Sequence, residues 1–100
     1  MTPRFLFRPA AVDELREARD WYDAQRAGLG DELGEVVAHM LDVIAAQPDA
    51  FPEVMPGVRR AVISRFPYGI FYRRLPDALE VLAIFHHRRD PTIWRRRAAV

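Results

Sequence analysis

Leu79-Glu80-Val81-Leu82-Ala83-Ile84-Phe85 is an apolar run broken by one polar residue. A strand covered on both faces reads as a continuous apolar run, whereas a strand with one wet face alternates. The run is therefore expected at the centre of a sheet. Working outward, Leu75-Pro76-Asp77-Ala78 has the composition of a turn. Before it, Tyr68 to Leu75 is rich in aromatic residues, with Phe71 and Tyr72, and reads as a second strand. Val58 to Phe66, in which Val58, Val62 and Ile63 stand among Arg59, Arg60 and Arg65, reads as a third.

Upstream the period changes from strand to helix. Leu29, Leu33, Val36, Val37, Met40, Leu41 and Ile44 recur at helical spacing, and the pattern stops at Gln47-Pro48 because the residue before proline avoids the helical region. An earlier helix carries Val12, Leu15, Ala18 and Tyr22, with Trp21 beside them. Asp13, Glu14, Glu17 and Asp20 fall on its other faces and are expected in solvent. Pro9 suits its first turn, and Gly28 suits its C-cap. The short join makes an antiparallel helical hairpin. Phe5-Leu6-Phe7, between Arg4 and Arg8, is a short strand, and Pro48 to Gly57, with three prolines and a glycine, reads as a loop. The expectation is one α+β domain over residues 1–100: an N-terminal strand, a helical hairpin, then three antiparallel strands. They form one mostly antiparallel sheet with the helices on one face.

Half of the residues are apolar or aromatic, enough for a core in a chain of 100 residues. There is no cysteine, hence no disulfide framework and no thiolate metal site. No stretch approaches the roughly 18 apolar residues of a membrane span, and the N-terminus lacks the pattern of a secretory signal. The expected location is cytoplasmic, with no membrane partner. All 15 basic side chains other than histidine are arginine. From Val58 to Val100 ten arginines face three acids; from Met1 to Gly57 five face eleven. A formal charge of +1 thus conceals two halves of opposite sign, and the basic half is expected to attract a polyanion or an acidic protein.

The chemistry-bearing residues are few. His86 and His87 are adjacent at the end of the central strand, where neighbours point to opposite faces and do not chelate one metal. His39 brings no further ligand, so neither metal nor cofactor is expected. There is no Ser-His-Asp or Cys-His pattern and no glycine-rich phosphate loop. The arginines are the stronger signal: Arg59, Arg60 and Arg65, then Arg73 and Arg74, then Arg88 and Arg89, then Arg95, Arg96 and Arg97. If the three strands are neighbours, these side chains converge on one side or rim of the sheet. Trp94 is the apolar anchor of the C-terminal tail. Tyr68 and Tyr72 are read either as core or as a stacking platform.

The order of elements, with Gly57-Val58-Arg59-Arg60, Arg65-Phe66-Pro67-Tyr68-Gly69-Ile70-Phe71-Tyr72 and His86-His87-Arg88-Arg89-Asp90-Pro91-Thr92-Ile93-Trp94-Arg95-Arg96-Arg97, resembles the RelE/ParE superfamily of type II toxins. The resemblance covers nearly the whole chain. It implies a toxin neutralised by a cognate antitoxin, which links it indirectly to operator DNA. RelE-type members cut mRNA on the ribosome. For that activity the resemblance offers Arg60 and Arg88 as matched positions and His86 and His87 as further candidates. The other basic positions fall on Val62 and Gly69, and the C-terminal tyrosine falls on Trp94, which has no ionisable hydroxyl. These departures point to the ParE branch, whose members are understood to poison DNA gyrase by binding. The residues expected to contact antitoxin or target are Arg59, Arg60, Arg65, Tyr72, Arg73, Arg88, Arg89, Trp94 and Arg95. The antitoxin is expected over the groove between hairpin and sheet. An inactive member that binds only its antitoxin is the remaining alternative.

Overall fold

In the computed structural model, which describes residues 3–99, the chain runs β1 (Arg4–Phe7), α1 (Pro9–Gln25), α2 (Leu29–Ala46), β2 (Glu53–Met55), β3 (Val58–Val62), β4 (Tyr68–Arg74), β5 (Ala78–His86) and α3 (Thr92–Ala98). The sheet order is β1-β5-β4-β3-β2. β5 sits inside it, parallel to β1 from Arg4↔Ala78 to Phe7↔Val81 and antiparallel to β4 from Tyr68↔His86 to Arg74↔Leu79. The remaining pairs are antiparallel. This is the expected α+β architecture; the apolar run forms an interior strand, but one place from the β1 edge, with β4 rather than β5 at the centre.

Both faces of β5 are covered, by different elements. On one face Leu33, Val37 and Ile44 of α2 and Ala11 and Ala18 of α1 pack against Ile70, Tyr72, Leu79, Val81 and Ile84. The hairpin can approach itself closely because residue 30 is glycine. A Cβ on Gly30 would lie 2.5 Å from the Arg19 carbonyl oxygen. On the other face Trp94 of α3 packs with Val58, Phe71, Leu82 and Phe85. The Tyr72 side chain is fully buried, and its hydroxyl donates to the Pro48 carbonyl just past α2. Burial pushes the Tyr72 pKa up to about 12.

Three local expectations are corrected, and the tail gains an element that was not expected. The Pro48–Gly57 segment is not all loop: β2 forms there against β3, flanked by Pro52 and Pro56. Proline is compatible with an edge strand, and a strand of three residues leaves no period to read. β3 ends at Val62 rather than Phe66, because Arg65 is left-handed (φ 71°) and turns the chain. Gly28 does not cap α1. Arg26 does, through its N–H to Tyr22, and Gly28 (φ 88°) is the left-handed residue that starts α2. The C-terminal tail is a short helix, preceded by Asp90, whose carboxylate accepts the Thr92 N–H.

Candidate functional site

The fold brings the two oppositely charged halves of the sequence into contact. Arg65 of the second half pairs with Glu32 of the first at 2.6 Å, and Arg74 pairs with Asp49 at 2.8 Å. Arg59 donates to the Phe51 carbonyl and lies 3.6 Å from Glu53. Arg73 and Arg8 share Glu80, at 2.7 and 3.1 Å, and Arg73 also donates to the Ala98 carbonyl. The charge asymmetry of the sequence is therefore largely cancelled in space. The expectation that the arginines converge on one side holds for only some of them.

Glu14 is the clearest departure. It was expected in solvent, yet its side chain is 7% exposed. It lies on the same stripe of α1 as Ala11 and Ala18, which are buried too. β1 stops opposite Val81, so beyond that point the outer edge of β5 has no strand beside it. Glu14 and Arg97 fill that place. The carboxylate accepts the Ile84 N–H at 3.1 Å, and the Arg97 guanidinium donates to the Leu82 carbonyl at 3.1 Å. Arg97 also grips both Glu14 oxygens at 2.8 and 2.9 Å, and Arg89 adds a third ion contact at 2.8 Å. An ion pair thus stands in for a strand on an edge that would otherwise be open to pairing. The signal was present in the sequence: an acid on the apolar stripe of an amphipathic helix, with surplus arginine downstream.

Among the described residues, no carboxylate lies within ion-pair distance of Arg4, Arg60, Arg88, Arg95 or Arg96. Four of these five belong to one region. Arg60 and Arg95, with His86, His87 and Arg89, line a cleft of about 420 Å³. It lies on the α3 side of the sheet, and its floor is Phe71, Phe85 and Trp94. Arg95 stands 5.5 Å over the Trp94 ring and Arg89 4.5 Å over that of Phe85. Arg88 and Arg96 are exposed and outside the lining.

The residues singled out in the sequence are thus divided. Arg60, Arg89, Arg95, His86 and His87 meet around the cleft; Arg59, Arg65 and Arg73 are held in ion pairs elsewhere. Tyr72 is 0% exposed and Trp94 3%, so neither is a contact surface; both are core. Val62 and Gly69 face each other across β3 and β4. Gly69 borders the cleft: a Cβ there would lie 3.2 Å from the Arg60 side chain. The basic positions that the RelE-type resemblance requires therefore fall beside Arg60, where this chain has an apolar residue and a glycine.

The two histidines differ. His86 Nδ1 accepts the Arg88 N–H at 3.0 Å and the ring meets Tyr68 edge-on, so that nitrogen is committed to the main chain. Desolvation, then the charges of Arg60 and His86, hold the His87 imidazole below its ordinary value. A depressed imidazole is neutral at pH 7, and protonating it costs folding stability as pH falls from the unfolded value of about 6.5 through the folded one. An NMR titration is expected to give His87 a midpoint below that value, and Arg60→Ala is expected to raise it. An unchanged midpoint would show that Arg60 does not act on His87. Among the described residues no group of three His, Asp or Glu side chains is placed to hold a metal ion.

The sequence model of the family described as "ParE toxin of type II toxin-antitoxin system, parDE" matches residues 5–91. The chain belongs to the ParE toxin family. Its fold agrees with that of a solved structure titled "Chromosomal ParDE TA system from P. aeruginosa", with a TM-score of 0.75 at 16% identity, covering 85% of this chain and 96% of that one. Among curated protein sequences none matches significantly. Membership in the ParE family makes the chain a toxin of a type II system and implies an antitoxin partner. No helix among the described residues is long and apolar enough to cross a membrane.

Proposed function

We propose that this ParE-family toxin acts in the cytoplasm by binding its target, with DNA gyrase as that target, and that a cognate antitoxin neutralises it. The observation that carries the reading is the composition of the cleft. It offers unpaired guanidiniums at Arg60 and Arg95, but a valine and a glycine at the neighbouring positions and a buried indole at residue 94. Guanidiniums bind and orient anions, and they stay protonated at neutral pH. These guanidiniums are suited to recognition rather than acid–base chemistry, which leaves the imidazoles of His86 and His87 as the proton-exchanging groups of the lining.

The antitoxin is assigned to the groove between α1 and the sheet, lined by Glu17, Ala18, Trp21, Tyr68, Ile84 and His86. Trp21 is 59% exposed there, the largest exposure among the big apolar side chains described. A partner covering it removes apolar area from water at about 25 cal/mol per Å². The groove shares His86 and Arg89 with the basic cleft, so one bound segment reaches both. Operator DNA is contacted only through the antitoxin.

A gyrase supercoiling assay tests the proposal. Purified toxin at micromolar excess is expected to block supercoiling, and added antitoxin to restore it. Gyrase left untouched, with codon-phased mRNA cuts in a translating extract, would replace this reading with ribosome-dependent cleavage.

A further inference from the structure

The sheet has free edges at β2, along β5 beyond Val81, and at β1. β2 is three residues long between Pro52 and Pro56, and the outer edge of β5 carries the Glu14–Arg97 pair. β1 has no such guard. The Arg8 N–H bonds the Val81 carbonyl, and the main-chain groups of successive strand residues point in alternate directions. Arg4, Leu6 and Arg8 therefore turn theirs to β5, and Phe5 and Phe7 turn theirs outward. Among the described residues nothing bonds these outward N–H and C=O groups. Leu6, Phe7 and Val12, three of the six large apolar side chains exposed among the described residues, lie in β1 and the first turn of α1. We infer that this edge pairs with a second copy of the toxin, β1 antiparallel to β1, joining two five-stranded sheets into one.

The flanking prolines choose the register. With the two-fold axis at Leu6, Phe5 of each copy faces Phe7 of the other, and every outward group of both strands is paired. An axis at Phe5 sets Phe7 against Pro3, and an axis at Phe7 sets Phe5 against Pro9; proline has no N–H to give in either case. The Leu6 axis also matches side chains. Phe5 and Phe7 share a face, with ring centroids 6.0 Å apart, so the rings of both copies fall in one row. On the other face Leu6 meets its counterpart at a non-hydrogen-bonded position, where side chains come closest. Arg4 comes opposite Arg8, whose charge Glu80 already meets at 3.1 Å, so the like-charge cost is small. The strand thus complements itself in hydrogen bonds and in apolar side chains, which favours a second copy over an unrelated strand. A strand of four residues buries less than the roughly 1,000 Å² of a lasting interface, so the dimer is weak and forms as concentration rises. It uses no residue of the basic cleft or of the antitoxin groove, and it does not depend on which enzyme the toxin inhibits.

The chain has no cysteine, so Leu6→Cys supplies a single thiol at the axis. Non-hydrogen-bonded antiparallel neighbours lie about 4.5 Å apart at Cα, within disulfide reach. On mild oxidation of the purified full-length toxin, Leu6→Cys is expected to form a covalent dimer on the order of tenfold faster than Val62→Cys. Val62 is 50% exposed against 39% for Leu6, so accessibility alone gives the opposite order. In sedimentation velocity the unaltered chain is expected to gain dimer with concentration. Leu6→Lys, which sets like charges opposite each other at the axis, is expected to stay monomeric at the same concentrations. The Leu6→Cys crosslink is expected to form equally with antitoxin bound. Its loss there would assign the edge to an antitoxin strand and overturn the inference. Equal rates in the two cysteine variants would overturn it as well, as would an unaltered chain that is monomeric at every concentration. A dimer that Leu6→Lys leaves intact would place the interface elsewhere, with the same consequence.

Discussion

Glu14→Ala is expected to lower folding stability by about 3 kcal/mol, because removing one partner of a buried ion pair leaves an uncompensated charge. The loss has several parts. Arg97, 17% exposed, keeps its charge with no carboxylate beside it, and the Ile84 N–H loses its acceptor. Arg89 is 44% exposed and recovers water, so its share is small. For a domain of 100 residues the melting temperature should fall by on the order of 15 °C. Glu14→Gln retains an oxygen for Ile84 and should cost less. Glu14→Ala/Arg97→Ala should cost less than the two single changes together, since each leaves the same charge stranded. Urea denaturation of the unaltered chain, Glu14→Ala, Glu14→Gln, Arg97→Ala and the double variant measures this. A loss below 1 kcal/mol in Glu14→Ala would show that the cap is incidental to stability.

The same residue marks where reading the sequence stops. Apolar period identified the hairpin, and the run from Leu79 to Phe85, apolar except for Glu80, identified an interior strand, because burial is written directly into residue type. β2 and α3 are short elements held by their neighbours rather than by their own pattern, so nothing local announces them. The charges misled for another reason. Counting along the chain places Glu14 and Arg97 in opposite halves, but α1 packs against β5 and α3 follows β5 directly, so the fold sets them side by side. A charge asymmetry in sequence becomes a field in space only if the fold keeps the halves apart. The candidate site shows the same division. Arg60, His86, His87, Arg89 and Arg95 were legible as candidates, but Arg59, Arg65 and Arg73 were indistinguishable from them until their carboxylate partners were placed. Tyr72, next to Arg73 in sequence, points into the core from the opposite face of β4.

Trp94→Ala is the second large effect, expected at about 3 to 5 kcal/mol, the range for removing a buried large aromatic side chain. The indole is 3% exposed and lies 4.5 Å from the Phe71 ring, centroid to centroid. It is the one fully buried side chain of α3 and so the helix's apolar anchor; the other ties to the sheet are polar, from Arg97 to the Leu82 carbonyl and from Arg73 to the Ala98 carbonyl. Detaching α3 also withdraws Arg97 from Glu14, so Trp94→Ala and Glu14→Ala should be strongly non-additive. Trp94→Tyr keeps a ring against Phe71 and should cost much less. The resemblance to RelE-type toxins places a tyrosine at this position as a catalytic group. Here the ring is buried as packing, so Trp94→Tyr should retain most of the stability without conferring mRNA cleavage. Thermal melts and a translating extract read the two outcomes separately. Cleavage gained in Trp94→Tyr would show that the cleft still holds a working nuclease site, and Trp94→Ala melting within a few degrees of the unaltered chain would show that α3 is held by something other than its tryptophan.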